Sequence, residues 1–224
     1  MLKPGQRYWF IITLVIFLMG VGMDRALATS LYIENWDFEA VGLADGKGSF
    51  MNIPGWNLAG LTGTWNPKST SYNPIDQDYS GGNIAWINQG YISQVLPYNL
   101  KSDRIYTLTA DVGYRLITDC PLCISRDYSI ELLAGGVSLA STSGTGTEGE
   151  WDSVSLTYSA SASGTDPLQI RLHTSGKRAH FDNVRLTNDS PNNNHVAVPE
   201  PATLLLLGSG LLGVALFGKK KFKA

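Results

Sequence analysis

Between residues 104 and 116 the chain alternates with a period of two. Tyr106, Leu108, Ala110, Val112 and Tyr114 share one parity, and Thr107, Thr109 and Asp111 share the other. Alternation of this kind puts apolar side chains on one face of a β-strand and polar ones on the opposite face. The same pattern returns at 151–158, where Val154, Leu156 and Tyr158 line one side, and again at 168–172 and 179–186. Two apolar runs within 128–140 meet at Ala134, Gly135 and Gly136, where glycine supplies the positive φ of a tight hairpin. Gly, Ser, Asn and Pro separate the runs, and no stretch sustains a helical apolar period. The body is therefore expected to be all-β. Roughly nine strands at this spacing suffice for an antiparallel two-sheet β-sandwich of jelly-roll type, with an immunoglobulin-like sandwich as the alternative.

Two stretches break the pattern. Phe181 has the opposite parity to Val184 and Leu186, which requires a bulge near Asp182 and Asn183 or a residue packed on each face. Residues 57–81 show no clear period and carry Trp65, Tyr72 and Tyr79 among Gly, Ser, Thr, Asn and Pro. An aperiodic stretch of this length predicts an ordered functional loop.

The two ends differ from the body. Lys3 and Arg7 precede an apolar run at 8–23, and Ala26, Leu27 and Ala28 follow it. That order is a secretory signal with cleavage after Ala28. Near the other end Pro199, Glu200 and Pro201 precede an apolar stretch at 202–218, backed by Lys219, Lys220, Lys221 and Lys223. A transmembrane helix of that length would hold its lysines in the cytoplasm and the body outside. The expected organisation is a signal peptide at 1–28, a β-sandwich at 29–187, a flexible Asn-rich linker at 188–198 and a sorting segment at 199–224. Without its ends the body keeps 10 basic and 17 acidic residues. No basic surface remains for a phosphate backbone, so nucleic acid is excluded as a partner.

The order Pro-Glu-Pro, apolar helix, basic end resembles the PEP-CTERM sorting signal. That resemblance implies recognition by an exosortase, a membrane enzyme, with processing at Pro199, Glu200 and Pro201. It also implies membrane attachment before processing and a final place in the envelope, surface or matrix of a Gram-negative exopolysaccharide producer. A second resemblance lies in the body. Asn35, Trp36, Asp37, Phe38 and Glu39, then Ile53, Pro54, Gly55 and Trp56, then Phe181, Asp182, Asn183, Val184 and Arg185 are similar to the opening and closing motifs of galactose-binding-like carbohydrate-binding modules. This second family implies a structural calcium ion where the first strand meets the last, with Glu39, Asp182 and carbonyls of 41–48 as ligands. Calcium accepts six to eight such oxygens. In the competing reading both acids cap strand ends and face solvent. A rival loop starting at Asp76 and Asp78 has Ile87 where a bidentate glutamate belongs.

Sugar recognition needs aromatic rings with a few fixed polar groups. Trp65, Tyr72, Tyr79, Trp86, Asn88 and Arg115 are the candidate ligand-binding residues, Trp65 foremost because it lies in the aperiodic stretch. Trp86, between Ala85 and Ile87 in a strand-like run, reads first as packing. Cys120 and Cys123 read as a small disulfide at a loop tip, since an exported all-β chain supplies neither the βαβ unit of a redox motif nor further zinc ligands. No nucleophile elbow, metalloprotease helix motif or phosphate-binding loop is present. The expectation is a non-catalytic extracellular module that binds glycan, such as exopolysaccharide. A structural matrix protein without a small ligand is the alternative. A glycoside hydrolase using acid pairs such as Asp76 with Asp78 or Glu148 with Glu150 is a more remote one.

Overall fold

The computed structural model describes residues 28–73, 82–121 and 125–190. These fall in a compact unit spanning Met1–Pro191; a second unit, Asn192–Ala224, lies outside the described residues, as does the signal segment. The expected transmembrane helix therefore falls where nothing is described.

Nine strands occur among the described residues: β1 (Thr29–Leu31), β2 (Gly48–Phe50), β3 (Asn57–Trp65), β4 (Ile84–Asn99), β5 (Arg104–Gly113), β6 (Asp127–Ala134), β7 (Val137–Thr145), β8 (Trp151–Ala160) and β9 (Pro167–Asp189). All pairings are antiparallel. The two long strands, β4 and β9, pass through both layers of the sandwich. The later half of β9 lies between β5 and the start of β4, with β8 beyond β5 and β3 and β2 beyond β4. Its earlier half lies between the end of β4 and the β6–β7 hairpin.

The turn from one layer to the other is made by irregularities. In β4 the register slips around Asn88 and Gln89, and Gln89 has φ +54°. In β9 the corner falls at 175–178, where Asp127 accepts hydrogen bonds from Ser175 N (2.7 Å) and Ser175 Oγ (2.8 Å). What reads in sequence as two strands, 168–172 and 179–186, is one bent strand.

The alternating residues of β5 are all buried, as are Leu156, Leu168, Ile170 and Leu172, in one apolar core between the layers. The parity break after Phe181 is a bulge: Asn183 takes φ +51°, and two steps along β5 match three along β9. The hairpin turn forms at Gly135 (φ +56°) and Gly136 (φ +80°).

The Asn35 motif works as a clasp. Asn35 Nδ2 donates to Pro54 O, Trp56 Nε1 donates to Asn35 O, and Phe38 is fully buried with its ring 5.5 Å from that of Trp56. Val184 N donates to Trp36 O, which ties this clasp to the last strand.

One expectation needs correction here. Residues 57–65 are not loop but strand β3, paired with β2 and β4. Gly60 and Gly63 interrupt the side-chain alternation, and Thr62 and Thr64 occupy buried positions that normally carry apolar residues. The period was masked rather than missing.

Candidate functional site

Strand register builds the site. Residues directly opposite in neighbouring strands point to the same face. Gly63 of β3 faces Trp86 of β4, Trp86 faces His180 of β9, His180 faces Gly113 of β5, and Gly113 faces Trp151 of β8. This row crosses five strands on the face turned away from the main core, because Phe181, the next residue after His180, points into that core. The two glycines make room for rings. A Cβ on Gly63 would lie 2.8 Å from Trp86 Nε1, and one on Gly113 would lie 2.5 Å from the Trp151 ring.

The segment after β3 closes over this row. Asn66 N donates to Lys47 O, Leu116 N to Ser71 O and Asn73 N to Gly149 O, which fix both ends of the segment. Tyr72 is thereby buried against Trp151, with ring centroids 5.2 Å apart, and its hydroxyl lies 2.6 Å from His180 Nδ1. Trp65 packs against His180 in a tilted arrangement, with ring centroids 5.2 Å apart. His180 has no exposure, and its Nε2 has no hydrogen-bond partner among the described residues. Burial, with Arg115 and Arg178 close by, holds its pKa well below the usual imidazole value, so the ring is neutral at neutral pH.

Above the row lies a cleft of about 410 Å³. Its aromatic lining is Phe50, Trp65 and Trp86, and its charged lining is Lys68, Arg115, Asp119 and Arg178. The Arg115 guanidinium stands 5.0 Å over the Trp65 ring and bonds Asp119 at 3.1 Å. Arg178 stands 5.6 Å over Trp86, and the Phe50 ring packs against the same Trp86 at 5.3 Å.

Of the residues expected to bind ligand, Trp65, Trp86 and Arg115 meet in this cleft, and Tyr72 lies beneath it. Asn88 sits in the β4 bulge and does not line the cleft. Tyr79, Asp76 and Asp78 lie outside the described residues. Glu148 accepts from Ile117 N and pairs with Arg126 at 3.5 Å, a structural role. Lys68, Arg178, His180 and Phe50 are additions of the structure. The parity of β9 carried the signal for His180, since Phe181 in the core sends its neighbour outward.

Cys120 is disulfide-bonded; its expected partner, Cys123, lies outside the described residues. Ala28 is exposed just ahead of β1, whereas Pro199, Glu200 and Pro201 lie outside the described residues.

Glu39 and Asp182 belong to a separate acidic corner. Burial pushes Asp182 up to about 8; a hydrogen bond from Asn183 N opposes this, and the charges of Asp111, Glu39 and Asp37 reinforce it. Glu39 accepts from Asn83 N at 2.6 Å, and Asn83 Nδ2 donates to Val41 O. Asn83 Oδ1 is buried without a hydrogen-bond partner among the described residues. Among the described residues no three Asp, Glu, His or Cys side chains converge as a ligand set. Repelling carboxylates beside an orphaned amide oxygen are nonetheless the donors a hard cation takes, with carbonyls completing the shell.

Residues 29–187 match the HpiC1-like family, described as HpiC1 cyclase. The chain belongs to this HpiC1-like cyclase family. Residues 197–221 match the PEP-CTERM protein-sorting motif, which marks the chain as exported and envelope-associated and is consistent with an exosortase partner.

Among solved structures, the Stig cyclase FisC from Fischerella sp. TAU, in complex with (3Z)-3-(1-methyl-2-pyrrolidinylidene)-3H-indole, is 26% identical with a TM-score of 0.65. That match covers 73% of this chain and 99% of the other. A cyclase from the same organism in complex with 4-(1H-indol-3-yl)butan-2-one is 25% identical, TM-score 0.62, over 73% of this chain and 98% of the other. The sandwich also resembles carbohydrate-binding modules such as TmCBM61 in complex with β-1,4-galactotriose. That likeness is one of 14% identity and TM-score 0.45 over 70% of this chain and 98% of the other. No curated protein matches the chain.

Family membership overturns the expectation that the body is not an enzyme. The inference from missing catalytic motifs failed for a physical reason. A cleft lined from several strands leaves no contiguous motif in the sequence.

Proposed function

We propose that the protein is an exported cyclase-type enzyme that receives a planar, indole-like substrate in the cleft between Trp65 and Trp86. The observation that carries this reading is the five-strand row that sets Trp86 and His180 beneath Trp65 on a cyclase-family body. The two Fischerella cyclases hold indole compounds, and two indole side chains offer the flat apolar faces on which such a ring stacks. Ring closure within one substrate is an isomerisation. A bond forms between two of its own atoms, any proton lost from one atom returns to another, and no co-reactant is consumed. The contribution expected of the cleft is to hold a flexible substrate folded against a rigid platform. His180, neutral and held by Tyr72, positions Trp65 from below rather than touching substrate.

Calorimetric titration of the full-length protein with 4-(1H-indol-3-yl)butan-2-one tests this, with a panel of neutral oligosaccharides as the second arm. Measurable binding of the indole, weakened at least tenfold by Trp65→Ala, is expected. Binding confined to the oligosaccharides would overturn the reading and return the cleft to glycan recognition.

The acidic corner complements this. Glu39 and Asp182, with Asp37, Asp111, Asn83 Oδ1 and nearby carbonyls, are proposed to take a structural calcium ion that fastens the first segment of the body to its last strand. The sorting motif supports cleavage after Ala28, a body at 29–187, a linker at 188–198 and exosortase processing at Pro199 to Pro201, with a Gram-negative envelope as the setting.

A further inference from the structure

We propose that the β2–β3 edge of the body docks on an anionic phospholipid surface. The proposal stands apart from the reading of the cleft as a substrate site.

An apolar group is exposed at this edge. Phe50 is 63% exposed, Met51 49% and Leu61 50%. Strand register gathers them. Phe50 of β2 lies opposite Gly63 of β3, Leu61 stands two residues before Gly63 and so shares its face, and Met51 N donates to Thr62 O between them. Apolar side chains exposed singly are ordinary, whereas three gathered at one sheet edge mark an interaction surface. β2 is three residues long and pairs with β3, and no strand among the described residues pairs with its other side.

Cations flank this group on an otherwise acidic body. The body carries 17 acidic against 10 basic residues, yet segments 43–68 and 175–180 carry Lys47, Lys68, Lys177 and Arg178 against the single acid Asp45. All four are exposed, and none belongs to the ion pairs among the described residues. The fold ties them to the apolar group. Lys177 of β9 lies opposite Asn88 of β4, which in turn lies opposite Leu61. Lys68 lies across Gly46, the residue before Lys47, where an added Cβ would come 2.7 Å from its Cε. Arg178 stands over Trp86, against which Phe50 packs.

That combination fits a lipid surface. Apolar side chains enter the boundary between headgroups and acyl chains while neighbouring lysines and arginines stay among anionic headgroups, and the two attractions add. A second copy of this chain fits less well, because it brings together two bodies that each carry more acids than bases. The PEP-CTERM match makes the chain envelope-associated, so a membrane surface is at hand.

The test is hydroxyl-radical footprinting of the full-length protein on vesicles of phosphatidylcholine, alone or with phosphatidylglycerol added. The apolar stretch at 202–218 would hold the chain on either kind of vesicle, so the readout is local labelling rather than binding. Labelling of Phe50, Met51 and Leu61 is expected to fall at least fivefold on the anionic vesicles and to recover as salt rises, while Tyr32 and Val137, exposed elsewhere, stay within twofold. Lys47→Glu combined with Lys177→Glu, both outside the cleft lining, should restore labelling at least threefold. The wild-type comparison carries the test if that variant does not fold. Equal labelling on the two kinds of vesicle overturns the proposal, as does protection that survives both salt and charge reversal. So does protection spread equally over Tyr32 and Val137, or protection that rises with protein concentration in the absence of vesicles, which would make the occupant a second copy of this chain. Indole binding is read separately, by calorimetry without vesicles, and stands or falls on its own.

Discussion

Gly113 is opposite both His180 and Trp151, and the whole row depends on its lacking a Cβ. Gly113→Ala places a carbon 2.5 Å from the Trp151 ring, and the strand pairings on both sides leave little room to yield. We expect a loss of about 1–3 kcal/mol in urea unfolding, the usual cost of overpacking. Tyr72→Phe removes the partner 2.6 Å from His180 Nδ1 and leaves that buried nitrogen unsatisfied. It should cost about 1–3 kcal/mol by the same measurement. Trp65, Trp86 and Arg115 were legible as candidates because aromatic and cationic side chains are conspicuous. His180 was not, since the parity set by Phe181 gives its face but not the neighbours that the strand register brings to it. Arg178 was not, because its aim comes from a bulge that only the register of β4 against β9 reveals.

At the scale of elements, the corner of β9 is held by Asp127, which accepts from Ser125 Oγ, Ser175 N and Ser175 Oγ. Burial raises its pKa, but the hydrogen bonds from Ser125 and Ser175 outweigh it and bring the group down to about 2. A carboxylate held below its unfolded value stabilises the fold above that value and loses the contribution as pH falls through the folded one. Stability should therefore drop between about pH 4 and pH 2, and Asp127→Asn should be less stable at pH 7 and flatter across that interval in thermal melts. The alternating strands were readable because one face of each meets the core. β3 was not, because Gly60, Gly63, Thr62 and Thr64 replace apolar residues where the neighbouring backbone and Trp86 come close. The continuity of β9 was hidden for a related reason: Ser175, Gly176, Lys177 and Arg178 look like a turn, and its role as a bend appears only once Asp127 is seen to grip it.

Across the whole molecule, Asp182 on the last strand feels the charges of Glu39 and Asp37 in the first segment of the body and gives the protein a second pH arm of opposite sign. With its pKa raised to about 8, chiefly by burial, the folded state keeps a proton that the unfolded chain releases near pH 4. Metal-free protein should lose stability as pH rises from about 4 to 8, by on the order of 5 kcal/mol at most for a shift of this size. Calcium should restore it, and Asp182→Asn should abolish both the slope and the calcium response; melting curves with calcium and with chelator read all three. The C-terminal end announced export through its order of Pro-Glu-Pro, apolar stretch and lysines, as the PEP-CTERM match at 197–221 bears out. The body disclosed its sandwich and most of its aromatic cleft, yet not that the family is one of cyclases, because the cleft is assembled from residues on separate strands and no contiguous motif marks it. The most direct measurement is a crystal structure of the protein with 4-(1H-indol-3-yl)butan-2-one. We predict its indole ring between Trp65 and Trp86, within stacking distance of both; a ligand bound elsewhere, with that cleft empty, would contradict the account.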